Sequence, residues 1–342
     1  KAWDRTTISL GFDASENLEL PVKTRKRAEV ALAEARAAGQ RFVMAKFELQ
    51  RRVLDAWLEL ALAEERARIA RADLQLLRVV ADTAAARVQA GGPQRDLLEA
   101  DIEARESEDR VRAFEAQARA LRATLNGLLA RDARAPLDVG ALPEPRPLPS
   151  DDEAILAAGV HRNPHLASLM EQVAGREDAL ELARLMYLPN VNPFVGLTGD
   201  VSQMVGFAVM LPTTLPEIRS GIAEARAMLS AERAMVRQTH QDHAAHFVAT
   251  LTALRDSERQ AQLFEGRVLP VAELLAATTQ QAYAAGGAEL LDLVEAQRTL
   301  LDVRLVVAEA RVERERRAAE IEELTGIDLE TLGVEQESRH EG

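Results

Sequence analysis

The stretch Gly91-Gly92-Pro93-Gln94-Arg95-Asp96-Leu97-Leu98-Glu99-Ala100 decides the fold of this chain, because part of it returns near the other end of the sequence. Asp96-Leu97-Leu98-Glu99-Ala100 resembles Asp292-Leu293-Val294-Glu295-Ala296 at an offset of 292 − 96 = 196 residues. The same offset aligns residues 125–132 with 321–328. A repeat this long indicates duplication of one large element rather than a solenoid of short units.

Each copy is predicted to contain one very long helix. No proline occurs from residue 24 to residue 90, and these 67 residues would extend about 100 Å at about 1.5 Å per residue. The second long helix is expected from about residue 217 to residue 285. It contains Pro270, which predicts a kink or a local break in the helical hydrogen bonding.

A glycine pair follows each long helix, Gly91-Gly92 in the first copy and Gly286-Gly287 in the second. Glycine accepts the left-handed conformation that ends many helices, so both pairs predict helix C-caps. Return helices are then expected over residues 94–130 and 288–324. The sequence therefore predicts two long antiparallel helical hairpins.

Short extended segments precede the long helices. Residues 6–20 carry a partial alternation of apolar side chains. Before the second helix, Gly199-Asp200 predicts the turn of a β-hairpin with arms over 193–198 and 202–211.

The pattern divides the chain into four segments. The first repeat is expected to hold a strand, a long helix and a return helix, and it is expected to be truncated at its N-terminus because the chain opens at Lys1 without a methionine. The second is expected to hold a β-hairpin, a long helix and a return helix. The segments are the first repeat 1–131, a linker with short helices 132–192, the second repeat 193–328 and a polar tail 329–342.

Composition narrows the class of protein. Ala, Arg, Glu and Leu dominate, and aromatic residues make up only 4%, which is typical of long helices packed through narrow seams. A net charge of −13 disfavours a nucleic-acid partner. The chain has no cysteine and no apolar run of about eighteen residues. No nucleophile–base pair, phosphate loop or zinc motif occurs, so neither an enzyme nor a cofactor is expected.

Several motifs resemble the TolC-like outer-membrane efflux family. Tyr283-Ala284-Ala285-Gly286, followed by 290–297, is similar to that family's second periplasmic tip. Residues 92–100 resemble the first tip in its heavy-metal efflux, CzcC-like version. Further similar segments are Leu125–Arg131, Asn163-Pro164-His165-Leu166 and Tyr187-Leu188-Pro189-Asn190.

The resemblance covers nearly the whole chain and implies a mainly α fold. Long antiparallel hairpins would form a periplasmic α-barrel, and short β-hairpins would contribute to a twelve-stranded outer-membrane β-barrel shared by a homotrimer. It also implies docking to a periplasmic adaptor protein and an inner-membrane transporter. The chain departs from the family where the first hairpin lacks a strand, where the second hairpin is short, and where Leu211–Pro216 replaces the usual exit from that hairpin.

Two acidic pairs follow the predicted tips. Asp292 and Glu295 lie three residues apart and therefore share one helix face, as do Asp96 and Glu99. In the trimer that the resemblance implies, each acid becomes a ring, and a carboxylate ring in a narrow pore attracts cations. The alternative is that acids near a helix N-terminus simply stabilise the helix dipole.

The tips themselves carry further candidates. Tyr283 stands where the family often has a tip tyrosine bonded to a neighbouring helix, and Arg87 is a possible partner; each could instead be an ordinary packed or surface side chain. The resemblance implies that adaptor hairpins grip the glycine tips. Those tips are Gly91, Gly92, Gly286 and Gly287.

A run of three histidines, His240, His243 and His246, spreads over about 120° of one helix face at about 100° per residue. Adjacent pairs could ligate a borderline cation, although such runs are more often surface or packed histidines. No metal is therefore expected.

The predicted function is a passive exit duct of a tripartite efflux system. It would lie in the bacterial outer membrane with most of the chain in the periplasm, and it would conduct substrates such as metal cations or drugs. The alternative is a soluble coiled-coil scaffold or a periplasmic adaptor-like protein, although the strand-rich segments expected of an adaptor are missing.

Overall fold

A computed structural model of the chain describes residues 7–11, 20–142, 144–146, 148, 152–153, 155–156, 163–198, 202–327 and 329. A five-residue π-helical segment, Phe264–Val268, separates two of the α-helices. The main elements in chain order are β1 Thr7–Gly11, α1 Pro21–Gln89, α2 Gln94–Leu128, α3 Pro164–Leu185, β2 Asn190–Thr198, β3 Ser202–Met210, α4 Leu215–Leu263, α5 Leu269–Ala284 and α6 Leu290–Thr325.

The mainly helical fold predicted from the sequence is confirmed, and the long helices lie close to their predicted bounds. Helix α1 begins at Pro21, three residues before the predicted start. Proline fits the first turn of a helix because its missing N–H would have no intrahelical partner there. The N–H groups of Lys23 and Thr24 both donate to the Leu20 carbonyl.

The predicted interruption at Pro270 takes the form of a π-helical turn. The segment Phe264–Val268 ends two residues before Pro270. A proline inside an α-helix clashes with the carbonyl four residues earlier, here that of Gly266. The wider π turn changes the hydrogen bonding at that point, and the helix then continues as α5.

The chain divides into two compact units, residues 1–44 with 163–244 and residues 45–162 with 245–342. The first unit contains an antiparallel sheet in the order β1-β2-β3. Thr7 pairs with Thr198 and Asn190 pairs with Met210, so β2 is central. The predicted hairpin is therefore formed by arms of nine residues each, while its turn at Gly199-Asp200 lies outside the described residues.

A buried lysine joins a helix to the start of the sheet within the first unit. The ammonium group of Lys23 donates to the Leu188 carbonyl at 2.7 Å and to Asn190 Oδ1 at 2.8 Å. Nearby, α1 and α3 approach closely through small residues, because a Cβ on Gly175 would lie only 3.2 Å from the Cβ of Ala33.

The second unit packs its helices side by side through separate apolar clusters. Helix α1 packs against α2 through one set of residues and against α6 through another. Helix α6 in turn packs against α4 and α5. The lateral order in this unit is therefore α2, α1, α6 and then α4 with α5, so a long helix of one predicted copy lies beside the return helix of the other.

Buried charges in the second unit tie the linker to α6. Glu315 accepts hydrogen bonds from Arg314 at 2.6 Å and from the Arg146 side chain at 2.8 Å. Arg314 also donates to the Arg146 carbonyl at 2.6 Å. Arg314 and Glu315 are both buried, so each charge depends on the other for its solvation.

Candidate functional site

The turns that join α1 to α2 and α5 to α6 have the same geometry. In the first, the Gly92 N–H donates to the Arg87 carbonyl at 2.9 Å; in the second, the Gly287 N–H donates to the Ala282 carbonyl at 2.8 Å. The preceding residues, Gly91 and Gly286, have φ values of 96° and 79°. These left-handed values favour glycine, so the predicted glycine caps are present at both tips.

The first tip leaves room only for glycine at its second position. A Cβ on Gly92 would lie 3.0 Å from the Arg87 carbonyl oxygen, whereas the corresponding distance at Gly287 is 3.7 Å. A side chain at Gly92 would therefore push the end of α1 and open the turn.

The two tips are joined below their turns by one hydrophobic cluster. Residues from both hairpins contribute to it, so the pair forms a single packed body within the second unit. Its buried members are Val80, Ala84, Ala100, Tyr283, Leu290, Leu293 and Val294.

Arg87 and Tyr283 form the direct contact between the two tips. The guanidinium carbon of Arg87 lies 4.0 Å from the centroid of the Tyr283 ring, which is a cation–π distance. The same guanidinium donates a hydrogen bond to the Tyr283 carbonyl. Tyr283 is buried, and its hydroxyl has no hydrogen-bond partner among the described residues. The contact therefore uses the ring and the backbone of Tyr283, and not its hydroxyl.

The predicted acid Asp292 is part of a capping box at the start of α6. Its carboxylate accepts the Glu289 N–H at 3.1 Å, and the Glu289 side chain accepts from the backbone at Asp292. Asp292 and Glu295 are both exposed at the surface of the single chain. The cap explains the position of Asp292 in structural terms, and its exposure leaves the carboxylate accessible to solvent.

The corresponding acids of the first tip are arranged differently. Glu99 is half-buried and pairs with Arg95 at 2.6 Å within α2, and this hydrogen bond raises the pKa of the Arg95 guanidinium. Asp96 is half-buried in the first turn of α2, where a negative charge favours the helix dipole. The first tip thus presents Glu99 beside a basic group, whereas the second presents Asp292 and Glu295 on an exposed face.

The three histidines have separate surroundings. His243 lies 2.9 Å through Nε2 from the side-chain nitrogen of Asn163, which caps α3. His246 lies 3.4 Å through Nε2 from Glu320, and His240 is exposed. Within the described part of the chain, no group of three or more His, Asp or Glu side chains is placed to hold a metal ion.

Exposed apolar side chains beside the tips were not foreseen from the sequence. They lie on the faces of α2, α5 and α6, and apolar residues at helical spacing give no sign of which ones stay exposed within a single chain. They are Leu98, Ile102, Val271, Leu274, Leu275 and Leu291.

Comparison with known proteins gives structural matches only. No protein-family description and no curated protein matches the chain. The outer-membrane channel OprN matches with a TM-score of 0.77 and 18% identity, covering 95% of this chain and 82% of that chain. The outer membrane protein VceC from Vibrio cholerae matches with a TM-score of 0.76 and 17% identity, covering 94% and 78%.

A third match is the MtrE outer-membrane channel of Neisseria gonorrhoeae, with a TM-score of 0.77 and 17% identity, covering 95% of this chain and 76% of that chain. At such identities the likeness shows the fold. The chain therefore has the fold of outer-membrane channel proteins. None of the described helices is long and apolar enough to cross a membrane.

Proposed function

We propose that this chain is the outer-membrane exit duct of a tripartite efflux system and works as a passive channel rather than an enzyme. The observation that carries the proposal is the pair of matching glycine tips, closed by equivalent hydrogen bonds and packed on one cluster. Together with the fold of outer-membrane channels, this pair supports a helical tube that ends in hairpin tips.

The proposed assembly is a homotrimer. Its helical hairpins form a periplasmic α-barrel, and its β-hairpins join in one β-barrel that places the protein in the outer membrane. The length of β2 and β3 supports this, because nine residues lie within the roughly nine to eleven that a tilted transmembrane strand needs. The four segments proposed from the sequence, with boundaries at 131, 192 and 328, describe one duplicated protomer.

The proposed partners follow from the tips. The turns at Gly91-Gly92 and Gly286-Gly287 have exposed or half-buried backbone and would receive the hairpins of a periplasmic adaptor, which links the duct to an inner-membrane transporter. The transported substrates are proposed to be metal cations or drugs. The heavy-metal preference rests on the resemblance of residues 92–100 alone.

Reconstitution tests the duct directly. Full-length protein extracted from outer membranes should require detergent, migrate as a heat-modifiable trimer, and produce stepwise conductance in planar lipid bilayers. A soluble monomer or dimer without conductance would instead favour a coiled-coil scaffold. Heat-denatured protein in the same detergent is the matched control for leak currents.

The exposed acids of the second tip are proposed to form the pore constriction. We expect Asp292→Asn to weaken block of the channel by divalent cations at least about tenfold, because one carboxylate attracts a divalent ion at roughly 6 Å in water by about 1.4 kcal/mol. Asparagine removes the charge but retains an oxygen that can accept the Glu289 N–H. The measurement is the concentration of Ca²⁺ that halves single-channel current.

Two further variants separate the constriction from the cap. Asp292→Ala should weaken block equally and also cost about 1 kcal/mol of stability, since it removes the capping oxygen. Glu309→Gln removes an exposed acid from the same helix away from the tip and should leave block unchanged. If Asp292→Asn, alone or with Glu295→Gln, does not alter block, the acids serve only the helix terminus.

A further inference from the structure

Two apolar positions beside the tips are exposed although their counterparts in the other copy are buried. Leu275 corresponds to Val80 at the offset that aligns the glycine pairs (275 − 80 = 195), and Leu98 corresponds to Val294 (294 − 98 = 196). Val80 and Val294 are 7% and 5% exposed and belong to the same cluster. Leu275 and Leu98 are 47% and 57% exposed. Val80 and Val294 are therefore covered inside the chain, whereas the equivalent pair, Leu275 and Leu98, is left uncovered in the single chain.

Two other pairs of equivalent positions near the tips are buried in both copies. Ala100 and Ala296, which are equivalent at the offset of 196, are both buried. Leu77 and Ala272, equivalent at the offset of 195, are both buried as well. At these positions the two hairpins pack alike, whereas Val80 and Val294 are covered within the shared cluster and Leu275 and Leu98 are not.

Backbone geometry supports the alignment on which this comparison depends. Helix α2 is followed by Ala130 with φ 53°, and α6 is followed by Gly326 with φ 67°, again 326 − 130 = 196 residues apart. A positive φ is uncommon for alanine, so its occurrence at the position equivalent to a glycine indicates a shared turn.

We infer that the missing partner of these positions is a second copy of this chain, with Leu275 on α5 of one protomer packed against Leu98 on α2 of the next. This seam would repeat between chains the contact that α1 makes with α6 within one chain. The inference rests on the proposed channel, because the seam closes its ring. The two faces differ from each other, so the contact is head-to-tail and leads to a ring rather than to a two-fold dimer.

The side chains along the two faces match when the helices run antiparallel, as α1 and α6 do. Moving four residues from Leu98 along α2 reaches Ile102, and moving four residues back from Leu275 along α5 reaches Val271; both are exposed. Another four residues bring Glu106, which lies 3.8 Å from Arg298 of its own chain, opposite the basic Arg267. Apolar side chains would thus meet apolar ones, and an acid would meet a base.

Cysteine crosslinking tests the seam, because the chain has no cysteine of its own. Full-length protein carrying Leu98→Cys and Leu275→Cys should form covalent oligomers up to the trimer when oxidised in outer membranes. Either single variant should remain monomeric on a denaturing gel, since a head-to-tail seam never brings a residue near its own copy. Leu98→Cys with Val248→Cys, an equally exposed position on α4, should also remain monomeric.

A charge-swap series gives an independent readout. Leu98→Glu should lower the trimer fraction on native gels at least tenfold, and adding Leu275→Lys should restore it. A monomeric Leu98→Cys, Leu275→Cys protein would overturn the seam, and so would crosslinking of Leu98→Cys alone. If the Leu98→Cys, Leu275→Cys protein does not crosslink but still conducts in bilayers, only the seam is wrong. If it neither conducts nor forms oligomers, the proposed channel is wrong as well.

Discussion

Replacing Glu315 with alanine is expected to lower the free energy of unfolding by about 3 kcal/mol, because it removes the carboxylate that Arg314 and Arg146 share and leaves the buried Arg314 with Glu258 as its remaining described counter-ion. Glu315 accepts hydrogen bonds from Arg314 and from both the side chain and the backbone of Arg146. Arg314 is buried, so water cannot replace the lost carboxylate, and Glu258 at 3.2 Å compensates for it only in part. The detergent-solubilised protein is unfolded in urea, circular dichroism monitors the loss of helix, and the shift of the midpoint is measured.

A matched variant on the same helix separates burial from charge. Glu309 pairs with Arg66 at 2.7 Å, but the carboxylate is exposed. Glu309→Ala is therefore expected to cost no more than about 1 kcal/mol, as surface ion pairs usually do. Equal midpoint shifts for the two variants would show that burial of the Arg314–Glu315 pair does not matter.

Loss of Glu315 should also release the linker. Arg146 lies in the proline-rich segment between the two copies, and it reaches a second acid of α6, Glu322, at 3.2 Å. The Glu322 carboxylate in turn accepts the Leu329 N–H at 3.1 Å. Glu315→Gln keeps an acceptor for Arg146 but removes the charge. Its urea midpoint should therefore lie between those of the wild type and Glu315→Ala. Faster proteolysis within 132–148 would accompany the loss.

Much of the helical architecture could be predicted from the sequence because its signals are local. A long run without proline predicted α1, and paired glycines predicted both tips. The π turn before Pro270 could not be specified, because the proline rule indicates an interruption but not which carbonyl bonds are rearranged. The half-buried Arg146 was also missed, since a segment without hydrophobic periodicity gives no sign of which side chains turn inward.

In the candidate site, too, features with a local sequence signal could be predicted and contacts between distant residues could not. The sequence identified Asp292, but a capping residue and a pore acid have the same signature: an acid in the first turn of a helix. Only the 3.1 Å bond to the Glu289 N–H revealed the cap, and a pore role still depends on neighbouring chains. Similarly, the sequence offered Arg87 as a possible tip partner, but 196 residues separate it from Tyr283, so no local pattern could show that they touch.

Breaking the contact between Arg87 and Tyr283 is expected to open the tip. A charged hydrogen bond contributes about 1.5–3 kcal/mol and a cation–π contact about 0.5–2 kcal/mol. Arg87→Ala removes both, and in a trimer it does so three times. Since about 1.4 kcal/mol corresponds to a tenfold change in an equilibrium, the open probability should rise by at least about tenfold. Single-channel recording in planar bilayers measures this directly.

The contacts of Tyr283 provide a control for Arg87→Ala, because they do not involve the hydroxyl. Its ring and backbone carbonyl contact Arg87, whereas its hydroxyl has no partner in the described part of the chain. Tyr283→Phe should therefore conduct like the wild type. Arg95→Ala removes an exposed arginine that pairs with Glu99 on its own helix, and it should do the same. If Arg87→Ala conducts like these two variants, the contact only packs the tips, and closure of the duct must depend on other residues.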